Sequence, residues 1–312
     1  MLIKKCVKKI NCVILLLLFG ICLSQYRAAD FELIGNVESL SSVTRPYGNP
    51  TKTVASGFLD SKEFDSVYLK FDQAKYLKSN ENFLDYRGKI GIFDRTTYQY
   101  NAARQIEKQE TVLIQNDEEP RKISHKKTFY YLKNQLIRTD EFNSGRTTDQ
   151  YWIANFVYEN DRLKEKIFWM EDAIFSRAEY EFDENYNPVS EKAFSNNGSV
   201  GLFTSYKNDK TGMPVRINRE THNSTTEEII EYKGFYPLKK TFKENGKIIE
   251  IEHYNSSGRI FEVEKINYQS NKFDLYHFDY QFDSDNNWIQ CIISKNGQAI
   301  YQIDRKINYY LK

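Results

Sequence analysis

The side chains best suited to chemistry are few and scattered. The chain has four histidines, His125, His222, His253 and His277. No two stand at the short spacings by which a helix or loop holds a metal, and no HExxH occurs. Each reads as a solvated or strand-packed residue. Asp274, Asp279 and Asp283 lie near His277, and Glu227 and Glu228 are adjacent. Carboxylate pairs at defined separations hydrolyse glycosides, but in an alternating strand such residues belong to the wet face. Asp283–Asn287 (DSDNN) has the acidity of a calcium loop without the central glycine and distant glutamate of an EF-hand, and reads as a turn. Trp152, Trp169 and Trp288 could stack on sugar rings, with core packing as the plainer role. No nucleophile elbow, P-loop or dinucleotide fingerprint is present. The expectation is therefore no catalytic residue, no cofactor-binding residue and no metal ligand, hence no cofactor and no enzyme.

Cysteine usage narrows this further. Cys6, Cys12 and Cys22 fall in the first 22 residues, and Cys291 stands alone afterwards. A chain shortened at its N-terminus has no second thiol for a disulfide and no cluster for zinc. Cys291 lies in a strand-like run and is expected to be buried.

These residues must be positioned by what surrounds them, and the surroundings are hairpins. The clearest stretch is Thr241–Tyr268, TFKENGKIIEIEHYNSSGRIFEVEKINY. Asn245-Gly246 and Asn255-Ser256-Ser257-Gly258 supply the positive φ angles of tight turns. Between them Ile249, Ile251 and His253 alternate with Glu250, Glu252 and Tyr254, the period of a half-buried strand. The isoleucine side is read as the buried one. An aromatic enters each turn and an aliphatic leaves it.

From Lys127 onward that unit recurs. It appears at Phe142–Gly145, Tyr158–Asp161, Trp169–Asp172, Phe182–Asn185, Phe194–Gly198, Tyr206–Asp209, Tyr232–Gly234, Phe242–Gly246, Tyr254–Gly258, Phe282–Asn286 and Ser294–Gly297. The spacing averages about 12 residues, room for a strand of 6 to 8 and a turn. Earlier, Ser61–Asn80 fits two readings: Phe64, Val67, Tyr68 and Phe71 have helical spacing, while Val67, Leu69 and Phe71 alternate as a strand, which is preferred because strands follow on. Asp85–Lys89 reads as a turn, Ile90–Tyr100 and Glu107–Gln115 as strands, and Thr44–Gly57 and Asn116–Lys122 as loops. No helical segment interrupts the repeat, which argues against parallel βαβ units. The expected fold is all-β: a long antiparallel meander of short hairpin repeats, curled or folded into two layers. Strands so short, without an apolar outer band, argue against an outer-membrane barrel.

The N-terminus reads as a processing segment. Four lysines precede the apolar run Val13–Leu23, which has the length of a signal-peptide core and is too short to span a bilayer. Cleavage is expected near Ser24, leaving residues 25–312 as one β-repeat domain. Ile21 before Cys22 disfavours a lipoprotein signal. Loss of the leader leaves 40 basic groups against 43 acidic ones, about −3. Mean hydropathy is −0.67. A near-neutral chain lacks the positive field that nucleic acid requires. The sequons at Asn197, Asn223 and Asn255 read first as turns.

The units resemble YD repeats of the RHS type, whose core is Tyr-Asp-x-x-Gly-Arg/Asn-Leu/Ile. Tyr254-Asn255-Ser256-Ser257-Gly258-Arg259-Ile260 is the nearest match, with Phe282–Trp288 and Phe182–Asn187 as degenerate relatives. Leu33–Val37 and Phe278–Tyr310 are also similar to exported YD-like proteins of Bacteroidetes-type bacteria. The resemblance spans roughly residues 127–312. It implies a strip of antiparallel hairpins and carries no catalytic residue across. The functional expectation is a non-catalytic exported protein, a scaffold or binder of a protein or glycan at the bacterial cell envelope, periplasmic, outer-membrane-associated or extracellular. The alternatives are an exported hydrolase acting on glycans and an immunity-type partner of a secreted toxin.

Overall fold

The computed structural model describes residues 26–311, apart from 50, 60–63, 87–88, 115–122 and 145–147. The leader assigned to residues 1–24 lies outside these. The described residues form one short 3-10 turn, Ala28–Phe31, and twenty strands. In chain order the first seven are β1 (Val37–Pro46), β2 (Ser66–Phe71), β3 (Leu77–Tyr86), β4 (Lys89–Tyr100), β5 (Ile106–Leu113), β6 (Ile123–Leu132) and β7 (Gln135–Asn143). Then come β8 (Gln150–Glu159), β9 (Arg162–Met170), β10 (Ala173–Phe182), β11 (Pro188–Ser195), β12 (Val200–Asn208), β13 (Pro214–Thr221) and β14 (Thr225–Lys233). The last are β15 (Tyr236–Glu244), β16 (Lys247–Tyr254), β17 (Ile260–Asn267), β18 (Lys272–Phe282), β19 (Trp288–Lys295) and β20 (Gln298–Tyr309). The all-β antiparallel meander expected from the repeat is what the chain builds.

Strand lengths correct one expectation. They run from 6 residues in β2 to 12 in β4 and β20, and most exceed the 6 to 8 that the repeat suggested. Length therefore gives no argument against a membrane-spanning barrel. No helix among the described residues is long and apolar enough to cross a membrane.

The turns explain the repeat. At Asp72, Asn101, Asp183, Asp209, Asn255 and Asp283 the backbone amide donates to the carbonyl four residues on. In the same loops the Asx side-chain oxygen accepts the amide of that fourth residue, at 2.8–3.1 Å. The residue three after each Asx has positive φ: Lys75, Arg104, Tyr186, Gly212, Gly258 and Asn286. A short side chain thus supplies the bonds that the reversing backbone would otherwise lack. The register across these loops pairs the residue before the Asx with the one six positions later, as in Phe71↔Leu77, Tyr100↔Ile106, Phe182↔Pro188, Asn208↔Pro214 and Tyr254↔Ile260. A register shift sits beside each pair, so the spacing from aromatic to aliphatic is a bulged hairpin end. Other connections are two-residue turns with both residues at positive φ, at Lys133-Asn134, Asn160-Asp161, Asn245-Gly246 and Asn296-Gly297.

Two compact units divide the chain. One holds Tyr130–Asp140 and Tyr151–His277; the other holds the described residues of Phe19–Phe129 with Glu141–Gln150 and Phe278–Lys312. In the second unit β1 lies between β2 and β20, antiparallel to both, so that Val37 faces Tyr309. Strands β2 to β6 follow one another in register, and β19 pairs with β20. Ala28, Leu33, Val37, Leu40, Leu69, Phe71 and Leu77 form its buried cluster. Cys291 is fully buried, as expected.

In the first unit β8 to β18 form a continuous antiparallel meander. Its more buried face is the reverse of the one read from sequence. Glu252 sits opposite Val263, which is 2 % exposed, and shares a face with Lys240 and Ile230. Ile249, Ile251 and His253 lie on the other face and stay half-exposed. Alternation fixed which residues go together. It could not say which side is covered, because both sides mix isoleucine, aromatics and charge.

Candidate functional site

The buried face of the first unit carries a ladder of tyrosines and paired charges. Register places Tyr180 opposite Glu191, Glu191 opposite Thr204, and Thr204 opposite Arg219. Farther along, Ile230, Lys240, Glu252 and Val263 form a second row. Glu228 joins the rows: one carboxylate oxygen is 3.7 Å from Arg219 and the other 3.6 Å from Lys240. Its side chain is only 6 % exposed, whereas Arg219 and Lys240 keep 30 % and 29 %. The cations therefore reach from a buried carboxylate toward solvent, in the manner of long basic side chains.

The tyrosines of this face are held protonated. Burial raises the Tyr180 hydroxyl, and the adjacent Glu191 adds to the effect. Burial likewise raises Tyr254, whose hydroxyl donates to Glu252. Tyr232 is pushed up to about 12, first by burial and then by Glu228. Phenols that stay neutral beside carboxylates, with guanidinium and ammonium groups between, suit a hydrogen-bonding surface for hydrophilic solutes.

The opposite face carries ion pairs of its own. Glu227 accepts from Lys243 at 2.7 Å and lies 3.2 Å from Arg216. Arg177 lies between Glu165 and Glu179. Farther along is a cross-strand row, Lys239–His253–Glu262–His277. His253 Nε2 is 3.2 Å from Glu264 and 3.9 Å from Glu262, and His277 Nδ1 is 3.2 Å from Glu262.

The remaining candidates separate. His125 pairs with Glu141 at 3.1 Å, and His222 is exposed in a turn. Asp274 lies on the opposite face from His277 and accepts from Asn267. Asp283 belongs to a turn in which its carboxylate takes the amides of Asp285 and Asn287 and the hydroxyl of Tyr309. Trp288 is 1 % exposed, with the Arg305 guanidinium 3.4 Å from its ring centre and Tyr280 edge-on. Trp152 stacks edge-on against Phe175. Sequence spacing missed the His253–Glu262–Glu264–His277 cluster. Its members come from three strands, and only register makes them neighbours.

No family model matches the chain, and no curated protein matches it. Among solved structures, a porin-like protein from Bacteroides uniformis ATCC 8492 aligns over 88 % of this chain and 99 % of its own, with 6 % identity and a TM-score of 0.38. A porin-like protein from Bacteroides vulgatus ATCC 8482 covers the same shares at 12 % identity and a TM-score of 0.21. A protein of unknown function from Bacteroides fragilis NCTC 9343 covers 48 % of this chain and 87 % of its own, at 9 % identity and a TM-score of 0.13. Similarity at these scores assigns the chain to no family.

Proposed function

We propose that this is an exported, non-catalytic β-repeat protein that binds a hydrophilic partner, protein or glycan, at the bacterial cell envelope. The carrying observation is the ladder Tyr180–Glu191–Arg219–Glu228–Lys240–Glu252. A sheet that needed only stability would fill such a face with aliphatic residues, since buried ion pairs seldom add net stability. Here neutral phenols and opposed charges, the groups that orient a polar ligand, run through the face between Ile230 and Val263. The lysine-led apolar segment at residues 1–24 supports export.

The test is capture from bacterial envelope extracts with chain 25–312 as bait. Wild type is expected to retain a defined protein or glycan, and a Tyr180→Phe, Arg219→Met double variant to lose it while keeping its strand-type circular dichroism. Equal recovery by both would remove the ladder from the binding role. Recovery of nothing by wild type would remove the binding role itself.

A further inference from the structure

We propose that His253, Glu262 and Glu264 bind a divalent transition-metal ion of the zinc class, with His277 holding Glu262 from outside the coordination shell. The ligand atoms of His253, Glu262 and Glu264 all lie within 4.8 Å of one another. Imidazole nitrogen at about 2.0–2.1 Å and carboxylate oxygen at about 2.0–2.2 Å place neighbouring ligands of one zinc ion a little over 3 Å apart. His253 already stands 3.2 Å from Glu264 and 3.9 Å from Glu262, so small rotations of side chains complete the set.

The charge pattern on this face separates the cluster from an ordinary salt-bridge ladder. Glu227 has two permanent cations, Arg216 and Lys243. Glu262 and Glu264 are two residues apart on one face of β17, and their partners at hydrogen-bonding distance are imidazoles. A neutral imidazole offers a lone pair rather than a charge. Two carboxylates and one such lone pair, converging from adjacent strands, form a mixed nitrogen and oxygen donor set of the kind that zinc and its neighbours take.

The surroundings fit. Ile251 and Leu275 lie opposite Glu264 and shield one side. The Phe261 ring centre is 6.2 Å from that of His253. Lys239 is opposite His253, and Asp279 lies beyond His277 on the same face. His277 Nδ1 bonds Glu262 Oε2 and fixes the carboxylate whose other oxygen points to His253. An outer partner of this kind orients a metal ligand. A metal here would tie β16 to β17, just behind the Asn255–Arg259 turn.

The experiment is calorimetric titration of untagged chain 25–312 with Zn2+, alongside thermal melting with and without the ion. Wild type should bind one Zn2+ saturably and melt at a higher temperature with it, because an ion that binds only the folded state stabilises it. His253→Ala should abolish both effects. Glu264→Gln, gentler on the fold, should weaken binding at least about tenfold, and His277→Ala by about 10–100-fold. His125→Ala, which removes the His125–Glu141 pair, should leave binding unchanged. Binding should fall with pH, since the ligands must be deprotonated. No saturable binding by wild type overturns the proposal. So does undiminished binding by the folded Glu264→Gln or His277→Ala variant.

Discussion

The side-chain amide of Asn287 bonds the backbone of Ile34 on both counts, accepting from its N–H at 2.6 Å and donating to its carbonyl at 2.9 Å. These residues are 253 positions apart, and Asn287 is fully buried. One amide side chain thus does for residue 34 what a neighbouring strand would do. It also meets the Tyr309 hydroxyl at 2.7 Å, while Trp288 Nε1 reaches Glu32. The segment leading into β1 is fixed to the β18–β19 turn by this contact. Replacing Asn287 with leucine should lower unfolding stability by about 2–4 kcal/mol, since buried backbone groups lose their partners. Urea denaturation monitored by fluorescence measures it, and an unchanged midpoint would show that the contact is dispensable.

Two glycines at positive φ, in different kinds of turn, should respond differently. Gly246 has φ +79° and open space where a Cβ would stand. Gly246→Ala should cost about 1–2 kcal/mol, the strain of a side chain in the left-handed region. Gly212 has φ +85°, and a Cβ there would collide with Asn187 Oδ1. Asn187 is itself bonded to the carboxylate of Asp183 in the adjacent turn. Gly212→Ala should therefore be the worse of the two, at about 2–4 kcal/mol. Paired thermal melts decide the order, and equal losses would uncouple the two turns.

Glu228 should matter more than ion pairs at the surface. Glu228→Ala leaves Arg219 and Lys240 facing each other without the buried carboxylate and should cost about 3 kcal/mol. Lys164 and Glu159 are 2.7 Å apart but 58 % and 61 % exposed. Lys164→Ala should leave the melting temperature where it is, because exposed pairs are screened by water and salt. The same melts test both, and a silent Glu228→Ala would contradict the assignment of the buried face.

Acid should destabilise the second unit through Glu141. The His125 bond holds this carboxyl down at about 2, Lys127 adds to the effect, and burial opposes it. A depressed folded value means stability that is present above the ordinary carboxylate value, about 4.3, and lost as pH falls toward 2. The contribution should be about 1–2 kcal/mol after allowance for solvent, since the side chain is 28 % exposed. Glu141→Gln should flatten the stability profile over that window. A profile as steep as wild type would place the acid sensitivity elsewhere.

Strand and turn were legible in the sequence because both are local. An aromatic, an Asx, a residue able to adopt positive φ and an aliphatic six positions on define a hairpin end through bonds spanning five residues. The turns at Asn245-Gly246, Tyr254–Gly258 and Ser294–Gly297 were readable for that reason, as was the burial of Cys291 and Trp288 in apolar runs. Strand length was harder, since bulged hairpin ends add residues that alternation does not count.

Three features belong to the tertiary structure. The choice of buried face follows from what covers a sheet, and a strand with isoleucine on one side and tyrosine with glutamate on the other is compatible with either. The pairing of β1 with β20 joins the ends of the chain, and no local rule relates them. The meeting of His253, Glu262, Glu264 and His277 follows from cross-strand register. Composition and spacing determined that this chain would double back on itself throughout; packing decided which polar groups became neighbours, because contact across a sheet depends on register rather than on distance along the sequence.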